Sequence, residues 1–213
     1  MKRYFITSSG TDIGKTYALG ALCESLIAKN KIVSALKPII SGFSYECLGD
    51  NDIIEILSSL KLPKTIENIE KISLYRLKEP LSPDIAARKA KLELNFDEIV
   101  KFCNKPVDAD YQLIEGVGGV RVPINSNKTT LDLMESLKIP VILVVGSYLG
   151  AISHTLSAID SLNSIRAKIS VIIISETDGS EVLCDDMITS LKNFTSIPIV
   201  KLDRDGKLNA AML

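Results

Sequence analysis

The chain predicts an α/β fold, a mostly parallel central sheet with helices on both faces. Three observations carry that expectation. Apolar runs of strand length recur at residues 4–7, 32–36, 112–114, 141–145, 170–174 and 197–200. Several are apolar almost throughout, as strands covered on both faces are. Helical patterns lie between them, at about 15–29, 51–60, 83–91, 95–104, 130–137, 151–165 and 181–193. Strand–helix alternation of this kind implies right-handed βαβ units.

Composition sets the outer limits. One domain over residues 1–213 is expected. A chain of this length buries roughly 70% of the surface its unfolded form exposes, so it needs no staples. Lys+Arg number 25 against 26 Asp+Glu, with no block of like charge. That balance argues against nucleic acid or an anionic membrane as the main partner. Cys23, Cys47, Cys103 and Cys184 show no C-x-x-C spacing, and His154 is the single histidine. No zinc-type cluster is expected, and the chain reads as cytoplasmic with reduced thiols. The apolar stretch after Lys2-Arg3 is too short for a signal-peptide core. The run at 139–146 falls far short of a membrane span.

Ligands of open parallel sheets gather at the carboxyl ends of the strands, so each such end matters. The first strand runs into Thr7-Ser8-Ser9-Gly10 and then Gly14-Lys15-Thr16, followed by a helix with Ala18, Leu19, Leu22 and Leu26. Unpartnered N–H groups at a helix start favour phosphate. A lysine then reaches the β- and γ-phosphates, and a threonine hydroxyl can sit on Mg²⁺. The usual Gly-x-x-x-x-Gly-Lys-Thr pattern would put glycine at position 9, where Ser9 stands. The loop's special angles are therefore expected at Gly10 and Gly14, or Ser9 sits at ordinary angles.

The second strand ends in Lys37-Pro38-Ile39-Ile40-Ser41-Gly42, which puts Lys37 on the same edge as Lys15. Asp50-Asn51-Asp52 opens the next helix. Either Asp50 or Asn51 can cap it, leaving Asp52 free for a metal shell. Residues 61–80, bracketed by Pro63 and Pro80, have a mixed pattern and yield no assigned element. Pro80-Leu81-Ser82-Pro83 is a rigid turn into a helix. The third strand ends in Glu115-Gly116-Val117-Gly118-Gly119. An acidic residue there can hold Mg²⁺ directly or through water. The fourth ends in Gly146-Ser147-Tyr148-Leu149-Gly150, a second small-residue loop opening a helix that carries His154. That histidine reads as packing or capping before catalysis. The polar end after the last strand, from Lys201 to Gly206, reads as a surface tail or short helix.

Taken in order, Thr11 to Thr16, Lys37-Pro38, Ser41-Gly42, Asp52, Glu79-Pro80-Leu81-Ser82-Pro83, Glu115 to Gly119, and Pro140 through Gly150 to His154 resemble the dethiobiotin synthetase family. The resemblance runs from Arg3 to about Ile174 and implies a fold like the P-loop NTPases. It implies ATP and Mg²⁺, with diaminopelargonate (7,8-diaminononanoate) and CO₂ as the small-molecule substrates, in a cytoplasmic homodimer of biotin biosynthesis. It places Lys15, Lys37, Thr11 and Ser41 in catalysis, and Thr16, Asp52 and Glu115 around the metal. It implies nucleotide contacts at Asp12, Ile13, Gly14, Lys15, Thr16, Tyr17, Glu115 and Gly118, with Ser175 and Glu176 at the adenine edge. Substrate falls to Ser41 and Gly118, and to Leu149, Gly150 and Ser153 across the dimer interface.

This chain departs from the family's pattern at three places. Ser8 stands where glycine is common, Ser175-Glu176 where Asn-Asp is usual, and Ser153 where asparagine is more usual. Serine offers one short hydroxyl where asparagine offers a donor pair and an acceptor, so weaker discrimination of ATP against CTP or GTP is expected. Lys37→Ala is expected to fold normally and to lose ~10²–10³ in rate. Two other readings share the phosphate loop. A cobyrinate-type amidotransferase normally carries a further glutaminase domain. A partitioning or positioning ATPase usually has a second lysine early in the loop, and Thr7-Ser8-Ser9-Gly10 has none.

Overall fold

The computed structural model describes residues 1–46, 49, 51–206 and 208. Cys47 and Asp50 lie outside the described residues. In chain order the elements are β1 (Lys2–Ser8), α1 (Lys15–Ala28), β2 (Val33–Leu36), β3 (Ile39–Ser41), α2 (Asp52–Ser59), α3 (Ile66–Ile72), β4 (Tyr75–Leu77), α4 (Pro83–Lys89), α5 (Phe96–Cys103), β5 (Tyr111–Glu115), α6 (Thr130–Leu137), β6 (Val141–Gly146), α7 (Ala151–Ser164), β7 (Ile169–Ser175), α8 (Cys184–Leu191) and β8 (Ile199–Leu202).

The central sheet has six strands in the order β2-β5-β1-β6-β7-β8. Every pairing in it is parallel. Successive side chains of a strand point to opposite faces, so each strand feeds two cores. Phe5, Ile114, Leu143 and Ile172 pack on one face with apolar residues of α4 to α8. Tyr4, Ile6, Leu113, Ile142 and Ile173 pack on the other with those of α1 to α3. The continuous apolar runs are explained by this two-sided burial, and helices do cover both faces as expected.

Residues 61–80 contain structure that the sequence pattern did not reveal. They hold α3, capped by the Thr65 hydroxyl on the Asn68 N–H, and β4, which pairs with β3 in a separate parallel ribbon. Three-residue strands are too short to show a period. Pro38 makes the break between β2 and β3, because it has no N–H to continue a ladder. Its carbonyl instead accepts from the N–H groups of Leu74 and Tyr75, while the Lys37 N–H donates to the Ile72 carbonyl at 2.9 Å. That junction fixes Lys37 at the sheet edge. The last strand lies two residues later than expected, because Pro198 precedes the ladder and Leu202 is fully buried. Lys201 and Leu202 thus belong to a strand and not to a polar tail.

The phosphate loop takes one special angle at Gly14 (φ 88°) as expected and leaves Ser9 at ordinary angles, but its other special angle lies at Asp12 (φ 55°) and not at Gly10. Aspartate tolerates this region better than most residues because its short polar side chain bonds locally. At Gly14 the need for glycine is double, since a Cβ there would lie 2.6 Å from the Ser175 Oγ.

Candidate active site

The carboxyl ends of β1, β2 and β5 open on one cleft of about 520 Å³. The phosphate loop and the start of α1 line it with Thr11, Asp12, Ile13, Gly14, Lys15, Thr16 and Tyr17. Lys37 after β2, Ser41 at the end of β3, Asp52 at the start of α2, and Glu115 and Gly118 after β5 complete it. A groove of about 570 Å³ beside β2 and α3 is slightly larger, and it mixes aliphatic side chains with charged ones such as Glu67, Lys71, Lys105 and Asp108. Size is a poor guide here, because the phosphate loop and the ion-paired Lys37, Asp52 and Glu115 at the strand ends converge on the smaller cleft.

Its centre is a chain of charges. Lys37 bridges Asp52 and Glu115, with its Nζ 2.5 Å from the Glu115 Oε1. The Lys37 and Glu115 side chains are 4% and 0% exposed, and that of Asp52 is 41% exposed. The Thr16 hydroxyl donates to the same Glu115 oxygen at 2.9 Å. Asn51 caps α2 by accepting from the N–H groups of Ile53 and Ile54. Asp52 is thereby left free to face Lys37. The Lys15 ammonium donates to the Ser8 hydroxyl at 3.2 Å and is itself nearly buried.

Protonation follows from this arrangement. Burial pulls Lys37 down, but the Glu115 and Asp52 carboxylates outweigh it and hold the ammonium above the ordinary lysine range. Burial pushes Asp52 up, and the Lys37 ammonium more than reverses it, leaving the carboxyl below its usual range. For Lys15 burial wins, pulling it down against the opposing pull of Glu115. A buried ammonium that lacks a full counter-charge gains most from an arriving polyphosphate.

The donor set fits Mg²⁺. Among the described residues no three His, Cys, Asp or Glu side chains gather to hold a metal. Thr16, Glu115 and Asp52 instead offer one hydroxyl and two carboxylates. Mg²⁺ is usually held by one or two carboxylates, with phosphate oxygens and water filling the octahedron. The Glu115 Oε2 is buried with no hydrogen-bond partner. A carboxylate oxygen left so is costly unless a cation meets it.

Two candidate groups lie apart from the cleft. Ser175 ends β7 beside the loop, packed on Gly14 and only 7% exposed, and Glu176 follows it. Leu149, Gly150 and Ser153 sit at the start of α7, on an exposed surface where Leu149 is 92% exposed. His154 is exposed there and bonds the Tyr148 hydroxyl through its Nδ1 at 2.9 Å. Sequence reasoning passed over Pro80, Val117 and Glu55, which also line the cleft. Pro80 was visible as part of a turn, but nothing in a turn motif tells which cavity it borders.

Comparison with known proteins decides the family. The matching family model is described as an AAA domain and spans residues 2–207. The ATP-dependent dethiobiotin synthetase BioD of Caulobacter vibrioides (strain NA1000 / CB15N) is 38% identical, over 100% of this chain and 97% of its own. That of Phenylobacterium zucineum (strain HLK1) is 36% identical, over 97% of this chain and 90% of its own. The chain belongs to the dethiobiotin synthetase family. Among solved structures, the MinC:MinD cell division protein complex of Aquifex aeolicus matches with a TM-score of 0.55 at 14% identity, over 98% of this chain and 86% of that one. The hydrogenase maturation factor HypB of Archaeoglobus fulgidus matches with a TM-score of 0.55 at 13% identity, over 96% and 82%. These two establish a fold like the P-loop NTPases, and the family assignment rests on the synthetases.

Proposed function

We propose that this protein is an ATP-dependent synthetase that closes the ureido ring of dethiobiotin from diaminopelargonate and CO₂. Residues 1–213 act in this reading as one catalytic domain. The observation that carries it is the placement of two buried lysines, Lys15 and Lys37, around Thr16, Glu115 and Asp52 in one cleft.

The chemistry needs positioning and neutralisation more than it needs a base. One amine takes up CO₂ and loses a proton to become a carbamate. A carbamate oxygen attacks the γ-phosphorus, the bond to the β-γ bridging oxygen breaks, and ADP departs. The second amine then attacks the carbamoyl carbon, the ring closes and phosphate leaves. The carbamate and the triphosphate repel each other, and Lys37 and Lys15 supply the charge that lets them meet. Backbone N–H groups between Asp12 and Thr16 cradle the phosphates, and Thr11, Ser41 and Gly118 border the space left for the carbamate. Thr16, Glu115 and Asp52 would hold Mg²⁺, which supplies neutralisation of charge developing on the phosphate oxygens.

Ser175, Glu176 and Tyr17 lie on the base side of the loop in this reading. Leu149, Gly150 and Ser153 serve the substrate carboxylate of a partner in a homodimer, which suits their exposure and their distance from the cleft of their own chain. Cys23, Cys103 and Cys184 are free and buried, in keeping with a cytoplasmic setting. Among the described residues no helix is long and apolar enough to cross a membrane. Mass analysis of products from the purified protein, ATP, Mg²⁺, bicarbonate and the diamine tests the proposal. Dethiobiotin is the expected product. ADP release indifferent to the diamine and bicarbonate would point to a switch ATPase instead.

A further inference from the structure

We propose that Ser8 is a positioning residue that aims Lys15 at the polyphosphate. It is the last residue of β1 and is fully buried. Its hydroxyl donates to the Gly10 carbonyl at 2.5 Å, lies 3.2 Å from the Gly118 carbonyl, and accepts from the Lys15 Nζ at 3.2 Å. Its backbone carbonyl accepts from the Val120 N–H at 3.1 Å. One small residue thus joins the phosphate loop, the loop after β5 and the lysine. Those two loops touch closely, since a Cβ on Gly119 would lie 3.3 Å from Gly10 backbone atoms.

A lysine ammonium carries three N–H donors on a flexible stem. Ser8 engages one of them, which fixes the stem and leaves the other two for phosphate oxygens. Lys15 therefore loses less freedom when nucleotide arrives, and preorganisation of this kind raises affinity without adding a contact to the ligand. A glycine or alanine at position 8 supplies no such anchor. The Ser8 hydroxyl is thus a specific feature of this chain's loop and not a mere steric burden on it.

The inference rests on Lys15 meeting the polyphosphate, so Lys15→Ala is measured in parallel. Ser8→Ala and Ser8→Gly are each expected to raise the KM for ATP about tenfold, the usual worth of a hydrogen bond to a charged group. The KM for diaminopelargonate stays unchanged, and Ser8→Thr, which keeps the hydroxyl, restores most of the ATP term. Thermal unfolding of each variant is recorded alongside. An equal rise in both KM values, or ATP kinetics in Ser8→Ala and Ser8→Gly matching the parent while Lys15→Ala loses ATP affinity, overturns the role of Ser8 alone. Unchanged ATP affinity in Lys15→Ala overturns the reading of the site as well.

Discussion

Lys37 is the residue whose part changes most between sequence and structure. At a strand end it reads as a reaching cation that folding would not miss. Buried between Glu115 and Asp52, it also neutralises a carboxylate with no solvent. Removing one partner of a buried pair leaves an uncompensated charge and typically costs about 3 kcal/mol. Lys37→Ala is therefore expected to lose activity by ~10²–10³ and to unfold at markedly lower urea. The structure thus replaces the expectation that this variant folds normally, and a parent-like urea midpoint would restore it. The same pair sets a pH window. Asp52, held low, contributes stability that is present above its ordinary value of 3.8 and fades as pH falls through its lower folded value. Lys37, held high, contributes stability that is present below 10.5 and fades as pH rises through its higher folded value. Asp52→Asn should lower the neutral plateau of a urea-midpoint profile and flatten its acid limb. An acid limb identical to the parent's would contradict the pairing.

At the scale of elements, the chain's polar residues choose where helices begin. Asn51 caps α2 and sets Asp52 on the first turn facing Lys37. Asn51→Ala should cost about 1 kcal/mol of stability by chemical unfolding. It should also raise the Mg²⁺ concentration needed for half-maximal activity, while Asn51→Asp restores both. An unaltered Mg²⁺ requirement would separate the cap from the metal shell. The long elements were legible because their periods are long enough to count. The helix over 130–137 was read to the residue, and its capping box of Thr129 and Asp132 shows why. The short ribbon of β3 and β4 was not legible, since pairing between segments more than thirty residues apart leaves no local pattern. The loop angle at Asp12 was missed for a related reason. A backbone conformation set by what surrounds a loop cannot be counted off its residues.

For the whole molecule, parallel order brings distant motifs to one edge. Thr16 and Glu115 lie 99 residues apart in sequence and share a hydrogen bond because β1 and β5 are neighbours. The candidate residues that line the cleft were legible one by one, and their convergence came from topology. In the proposed reading Ser175 stands on the base side of the loop, and that side is less furnished. Ser175 spends its hydroxyl's surroundings on Gly14 and is nearly buried. Sites that read a base by paired donors and acceptors reject the wrong one by orders of magnitude, and a lone short hydroxyl does not. The kcat/KM for GTP and CTP should fall within roughly tenfold of that for ATP. A much larger preference for ATP would show that backbone groups, and not Ser175, read the base.

The central claim is that the cleft gathers cations so that two anions can react. A crystal structure with Mg²⁺ and a non-hydrolysable ATP analogue tests it most directly. The claim predicts the terminal phosphates against Lys15 and near Lys37, with Thr16 and Glu115 on the metal. A triphosphate bound away from Lys15, or a metal remote from Glu115, would contradict it.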